Sequence, residues 1–261
     1  MNFSDLLRSM VQEDGLWHAE VPASWLQGRS AFGGLQAALM LRAMRGELAA
    51  ALPLRAFQTA FVAPVPGGPV RLRARALRVG KNVTQIEARI VEGDTTLALG
   101  VGVFGQARSS LVRVTPTRPP DPSKEPISLS YVEDLMPTFH QNFDVKWLDG
   151  AMLYTGSTST KAVISVGIRD EGPMTEEHVL AIADWPPPLA MSFLTEPTNG
   201  SSVTWTVEML TESVSSLPMS GYRLDAELVA AGNGYTSQSV MVWGPDGSPV
   251  ALSRQSMVIF G

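Results

Sequence analysis

The chain has 261 residues, 44% of them hydrophobic and 17% charged, with a formal net charge of −5 and no cysteine. That is enough apolar material for a sizeable core without staples. The missing cysteines exclude disulfides, thiolate metal sites and cysteine nucleophiles, and the acidic balance argues against a nucleic-acid or anionic-membrane surface.

Asp5, Glu13 and Asp14 interrupt any apolar stretch at the start, so no signal peptide is expected. No run approaches ~18 uninterrupted apolar residues, so no membrane span is expected either. These readings predict a cytoplasmic protein. Residues 3–12 read as a short helix with Ser4 as its N-cap. Asp14-Gly15 then turns the chain into a strand near residues 16–21. The first main helix is predicted over residues 33–48. Its few polar residues, Gln36, Arg42, Arg45 and Glu47, mean that it is buried on most sides.

Strands follow at residues 54–62, 70–79, 83–91 and 95–104, separated by Gly67-Gly68, Gly80-Lys81-Asn82 and Gly93-Asp94. Tight turns make them antiparallel neighbours. Arg71, Arg73 and Arg75 alternate along one strand and share a solvated face. Residues 115–126, with Pro116, Pro119, Pro120, Pro122 and Pro126, read as an extended linker. It would join an N-terminal unit of residues 1–114 to a C-terminal unit of residues 127–261.

The second unit repeats the plan. Strands are predicted at residues 140–147 and 161–168. Thr175 then caps a helix over residues 176–184, with Glu176 and Glu177 in its first turn, and Pro186, Pro187 and Pro188 end it. Four strands follow at residues 202–210, 222–229, 235–243 and 249–260, with Asn233-Gly234 and Asp246-Gly247 as hairpin turns. The class is α+β, with two antiparallel sheets each wrapped around a long central helix.

Gly100-Val101-Gly102-Val103-Phe104-Gly105 fits the G-x-G-x-x-G spacing of a dinucleotide site. The context is wrong, because the fingerprint needs a helix to open within the glycines. Here they lie in a strand, where glycines let the sheet approach a helix closely. There is no G-x-S-x-G elbow, phosphate loop or histidine pair at metal spacing, so no metal site is expected.

Only the second helix carries a carboxylate among its apolar residues. Asp184 closes Val179-Leu180-Ala181-Ile182-Ala183 and precedes Trp185. A buried carboxylate is costly to ionise, so Asp184 must be paired, exposed at the helix end or functional. Thr204 opens the next strand. Gln255 shares a strand face with Ala251, Ser253, Met257 and Ile259, where an amide needs a partner.

The order and spacing of Ala183-Asp184-Trp185, Val203-Thr204-Trp205-Thr206 and Ala251-Leu252-Ser253-Arg254-Gln255 resemble type II acyl-CoA thioesterases, which are double-hotdog proteins. Phe32-Gly33-Gly34-Leu35-Gln36 is similar to the start of their first helix. The resemblance covers nearly the whole chain. It implies that Asp184, Thr204 and Gln255 orient and activate a water that hydrolyses an acyl-CoA thioester. Coenzyme A would enter as part of that small-molecule substrate, with no separate cofactor. Gly33 and Gly34 would let the acyl carbonyl approach free N–H groups at the helix start.

The chain departs from the pattern at Thr206, at Arg254-Gln255-Ser256 and at the proline run. Aligning the turns sets Val101 opposite Gln255 and Arg55 opposite Thr204, so one active pocket per chain is expected, at the seam between the halves. Open sheet edges would favour a homo-oligomer. Two other readings stand beside this one. A hotdog dehydratase or hydratase would pair a histidine with an acid, but His178 lies on a different helix face from Asp184. A non-catalytic acyl-binding module would use Asp184 only to cap a turn.

Overall fold

The computed structural model describes residues 1–260. It opens with α1 (Phe3–Arg8), whose N-cap is Asn2 and not Ser4. The Asn2 side-chain oxygen accepts the Asp5 N–H at 2.8 Å, which leaves Ser4 free to bond elsewhere. Strands β1 (Val11–Glu13) and β2 (Leu16–Val21) and a small hairpin of β3 (Leu26–Gln27) and β4 (Ser30–Ala31) lead into α2 (Gly33–Gly46). Then come β5 (Leu54–Phe61), β6 (Gly68–Val79), β7 (Thr84–Glu92) and β8 (Thr95–Phe104). Residues 105–126 carry no helix or strand.

The second half contains β9 (Ile127–Leu129), β10 (Phe143–Gly150), β11 (Lys161–Ile168) and α3 (Glu176–Ala183). It ends with β12 (Asn199–Met209), β13 (Tyr222–Gly232), β14 (Tyr235–Trp243) and β15 (Pro249–Phe260). The stretch predicted as a strand from residue 140 begins instead as a 3-10 turn, Thr138–Asn142. The elements missing from the sequence reading, β1, β3, β4 and β9, are two or three residues long. Pieces that short carry no readable period.

The two expected sheets are one. Thirteen strands run in the order β1-β2-β6-β7-β8-β5-β12-β15-β14-β13-β11-β10-β9. The join is the antiparallel pair β5–β12, from Ala60 opposite Thr204 to Ala56 opposite Glu208. An open edge leaves a row of unpaired backbone groups, and here the two half-sheets satisfy each other. The outermost strands, β1 and β9, are three residues each, and beyond the pairing with β2 residues 73–79 of β6 keep one edge without a partner strand among the described residues.

Helices α2 and α3 lie antiparallel and in contact. At one end a Cβ added to Gly34 would sit 2.8 Å from the Ala181 Cα. At the other, Arg45 of α2 forms an ion pair with Glu176 at the start of α3. Glu176 also accepts the Leu54 N–H at 2.8 Å, and Arg45 donates to the Leu52 carbonyl at 2.6 Å. Leu35, Leu39, Met40 and Leu41 of α2 are fully buried, as its apolar circumference requires. The glycines of β8 let the sheet lie against it. A Cβ at Gly100 would fall 3.2 Å from Met40 Sδ, and one at Gly102 would fall 2.8 Å from Met44 Sδ.

Because the Ala181 backbone and the buried Phe32 ring both crowd Gly34, Gly34→Ala should force the two helices apart. The expected cost is about 1–3 kcal/mol of stability, read as a lowered urea midpoint at unchanged m-value.

Candidate active site

Asp184 is the C-cap of α3, its N–H bonded to the Leu180 carbonyl at 3.1 Å. The following Trp185-Pro186 ends the helix, since proline disfavours the helical region for the residue before it. A helix C-terminus repels an anion, but antiparallel packing brings Asp184 to the positive N-terminus of α2. A Cβ on Gly33 would lie 2.7 Å from Asp184 Oδ2 and 3.1 Å from Phe61 Cζ. Only a glycine leaves the carboxylate room there.

Gln255 of β15 completes the contact. Its Nε2 donates to Asp184 Oδ1 at 2.9 Å and to the Ser202 hydroxyl oxygen at 2.7 Å. Asp184 and Gln255 are both buried. Burial pushes the Asp184 pKa up to about 7, against the opposing pull of the Gln255 amide and the Gly34 backbone N–H. The result is a carboxylate that exchanges its proton near neutral pH.

Thr204 is not in this cluster. A bulge in β12 places Ser202 opposite Met257 and Thr204 opposite Ser256, leaving Val203 as the extra residue. Past the bulge the buried side chains are Trp205, Val207 and Met209, so Thr204 faces solvent. The bulge shifts the alternation by one, and Ser202 supplies the hydroxyl in place of Thr204. No local sequence signal marks that shift. Gly33 and Gly34 lie at the site, and the Gly34 backbone N–H acts on the Asp184 carboxylate, favouring its charged form. The first half thus contributes α2 and Phe61 of β5, and the second contributes α3, β12 and β15.

The residues around the cluster are aromatic and held firmly. Trp185 is buried and meets His140 edge-on, with ring centroids 5.1 Å apart. Burial pushes the His140 pKa down to about 4, which keeps its ring neutral. Gln238 of β14, directly opposite Gln255, ties the proline run to the sheet. It accepts the Leu189 N–H at 2.8 Å and donates to the Pro187 carbonyl at 3.1 Å.

A second polar cluster lies at the other end of α3. Asp170 Oδ2 accepts from the Ser4 N–H at 2.7 Å, the Ser4 hydroxyl at 2.7 Å and His178 Nε2 at 2.9 Å. The composition is that of a Ser-His-Asp triad, but the wiring is not. The Thr175 N–H donates to His178 Nδ1 at 3.1 Å, so the ring proton sits on Nε2 and goes to Asp170. No base remains for Ser4. The cluster clamps α1 to α3. Among the described residues no group of three His, Cys, Asp or Glu side chains is placed to hold a metal ion.

Comparison with known proteins agrees with this architecture. A model of the acyl-CoA thioesterase N-terminal domain matches residues 21–105, and one of the C-terminal domain matches residues 113–259. Among solved structures, a hot dog fold protein from Alicyclobacillus acidocaldarius is similar at a TM-score of 0.88 and 20% identity, covering 99% of this chain and 98% of that one. The tesB protein of Mycobacterium avium subs. paratuberculosis gives 0.79 at 15% identity, with the same coverage. The acyl-CoA thioesterase II TesB2 of Mycobacterium marinum gives 0.71 at 14% identity, again covering 99% and 98%. No curated protein matches the chain by sequence. The fold is a hotdog fold with both repeats in one sheet. With both of its halves matched, the chain belongs to the acyl-CoA thioesterase family and is a thioester hydrolase.

Proposed function

We propose that the protein hydrolyses acyl-CoA thioesters to a free acid and CoA, using a water activated by Asp184. The observation that carries this reading is the buried Asp184 carboxylate, held by Gln255 and poised at a pKa of about 7. A general base works best when its pKa lies near the working pH. Asp184 takes a proton from the water as the oxygen attacks the thioester carbonyl. The tetrahedral oxyanion then collapses, the carbon–sulfur bond breaks, and the Asp184 carboxyl returns its proton to the departing CoA sulfur.

Gln255 fixes one oxygen of Asp184 and favours its charged form. Because Ser202 accepts from Gln255, its own hydroxyl hydrogen is free to donate to the water or the developing oxyanion. The unspent N–H groups in the first turn of α2 can add to that stabilisation. Coenzyme A belongs to the substrate, and the reaction needs no separate cofactor. A dehydratase reading has no support in the site, since among the described residues no histidine bonds Asp184 and His178 is committed to Asp170.

The test is thiol release from a series of acyl-CoA esters of increasing chain length, including aromatic acyl groups. Turnover of at least one class is expected, and no turnover of any would overturn the proposal. Gln255→Leu should lower kcat roughly 100-fold and Ser202→Ala about tenfold. Thr204→Ala, by contrast, should leave kcat near wild type.

A further inference from the structure

We infer that Phe61, a residue of the first half, sets the proton affinity of Asp184 by screening from bulk water the carboxylate oxygen that Gln255 does not hold. The inference rests on the reading of Asp184 as the base. Asp184 Oδ1 accepts from the Gln255 amide at 2.9 Å. Oδ2 lies against Gly33, where its neighbour is apolar. A Cβ built on Gly33 would fall 2.7 Å from Oδ2, and 3.1 Å and 3.3 Å from Cζ and Cε1 of Phe61. The ring edge and the oxygen therefore meet over a single glycine.

The fused sheet delivers Phe61 to this place. Phe57 and Thr59 of β5 are buried, and alternation puts Phe61 on the same inner face. Ala60 is paired with Thr204, so Phe61 follows at the level of Val203, the extra residue of the β12 bulge that turns Ser202 inward. Phe61 is half-buried and packs against the core. It stands between the solvent and Oδ2, so truncating it would let water reach the carboxylate.

No nearby charge competes with this effect. Arg42 and Arg45 on α2, Glu176 and Glu177 on α3 and Arg55 on β5 lie at the ends away from Asp184. Glu208 on β12 and Arg254 on β15 are on the solvent face. His140, beyond Trp185, stays neutral near pH 7. Without the ring, the Gln255 amide and the Gly34 N–H remain, and both favour the charged form. A carboxylate with those donors and added water gives up its proton more readily. Phe61 is thus a positioning residue that acts through Asp184 and keeps it a stronger base.

The test follows the Asp184 carboxyl carbon by 13C NMR, its signal identified by its loss in Asp184→Asn, beside the pH dependence of kcat/KM. In Phe61→Ala both midpoints should move down by about one pH unit, a tenfold change in acid strength. Phe61→Met, unbranched and long enough to cover Oδ2, should keep the wild-type midpoint to within roughly 0.3 unit. A merely structural ring would lower stability and move neither midpoint. The titration needs no substrate, so it decides the matter even if the protein turns over no thioester. If Phe61→Ala does not fold, Phe61→Val, which also withdraws the ring edge, is read in its place. A midpoint unmoved in the truncated variant, or moved as far in Phe61→Met, would overturn the inference.

Discussion

Asp184→Asn should lower kcat by ~10²–10⁴ while the protein stays folded, because an amide has no lone pair basic enough to take a proton from water. The same substitution reports on stability. Asp184 binds its proton more tightly folded than unfolded, since its pKa rises from 3.8 to about 7. Between those values the native state holds more protons than the unfolded chain, so wild-type stability falls as pH rises. Below pH 4 the penalty is absent, and above pH 7 it is complete. A shift of about three units corresponds to at most ~4 kcal/mol. Asparagine does not titrate, so Asp184→Asn should lack this loss. Denaturant unfolding at pH 4 and pH 7.5 should show the gap between the two proteins changing in favour of the variant. A buried carboxylate kept at a cost to stability is the trade expected if Asp184 is the base proposed above.

The second large effect lies far from the chemistry. Asp170→Ala should destabilise the protein by roughly 3–5 kcal/mol, through loss of an acceptor shared by four donors, the Glu171 N–H among them. The side chains of His178 and Asp170 are almost wholly enclosed, and the Ser4 N–H, the Ser4 hydroxyl and His178 Nε2 would all lose their acceptor. Burial pushes the Asp170 carboxyl up, but the hydrogen bonds from His178, Ser4 and the Glu171 N–H together outweigh it and hold the pKa below the usual value. A depressed carboxylate contributes its stability above the unfolded value, and that contribution is lost as pH falls through the folded value. Wild type should therefore lose stability in acid that Asp170→Ala does not lose further. Chemical denaturation should show this. The kcat of whatever fraction remains folded should be near wild type, which separates the clamp from the active site.

Much of the fold is legible in the sequence because periodicity and turns are local. The Gly33–Gly46 helix, the four strands after each main helix and the Thr175 cap follow from patterns of a few residues. The Asn233-Gly234 hairpin does too, with both residues at positive φ. The rest depends on partners far apart in the chain. Nothing near Ala60 announces that it will lie opposite Thr204, so the fusion of two half-sheets is invisible to alternation. Ser4 is a plausible helix cap until Asp170, far along the chain, takes both of its donors. Asp184 and Gln255 stand out because polar residues on apolar faces are costly. The hydroxyl beside them does not, because one extra residue in β12 exchanges Thr204 for Ser202. Period-two reasoning has no means to see a bulge.

The most direct measurement is the pH dependence of kcat/KM for acyl-CoA hydrolysis. If Asp184 is the base, the rate should climb tenfold per pH unit and level off with an inflection near 7. In Gln255→Leu, which removes the amide donor, the inflection should move upward. A profile already flat above pH 5 in wild type would show that no buried carboxylate titrates in the rate-determining step, and would contradict the account.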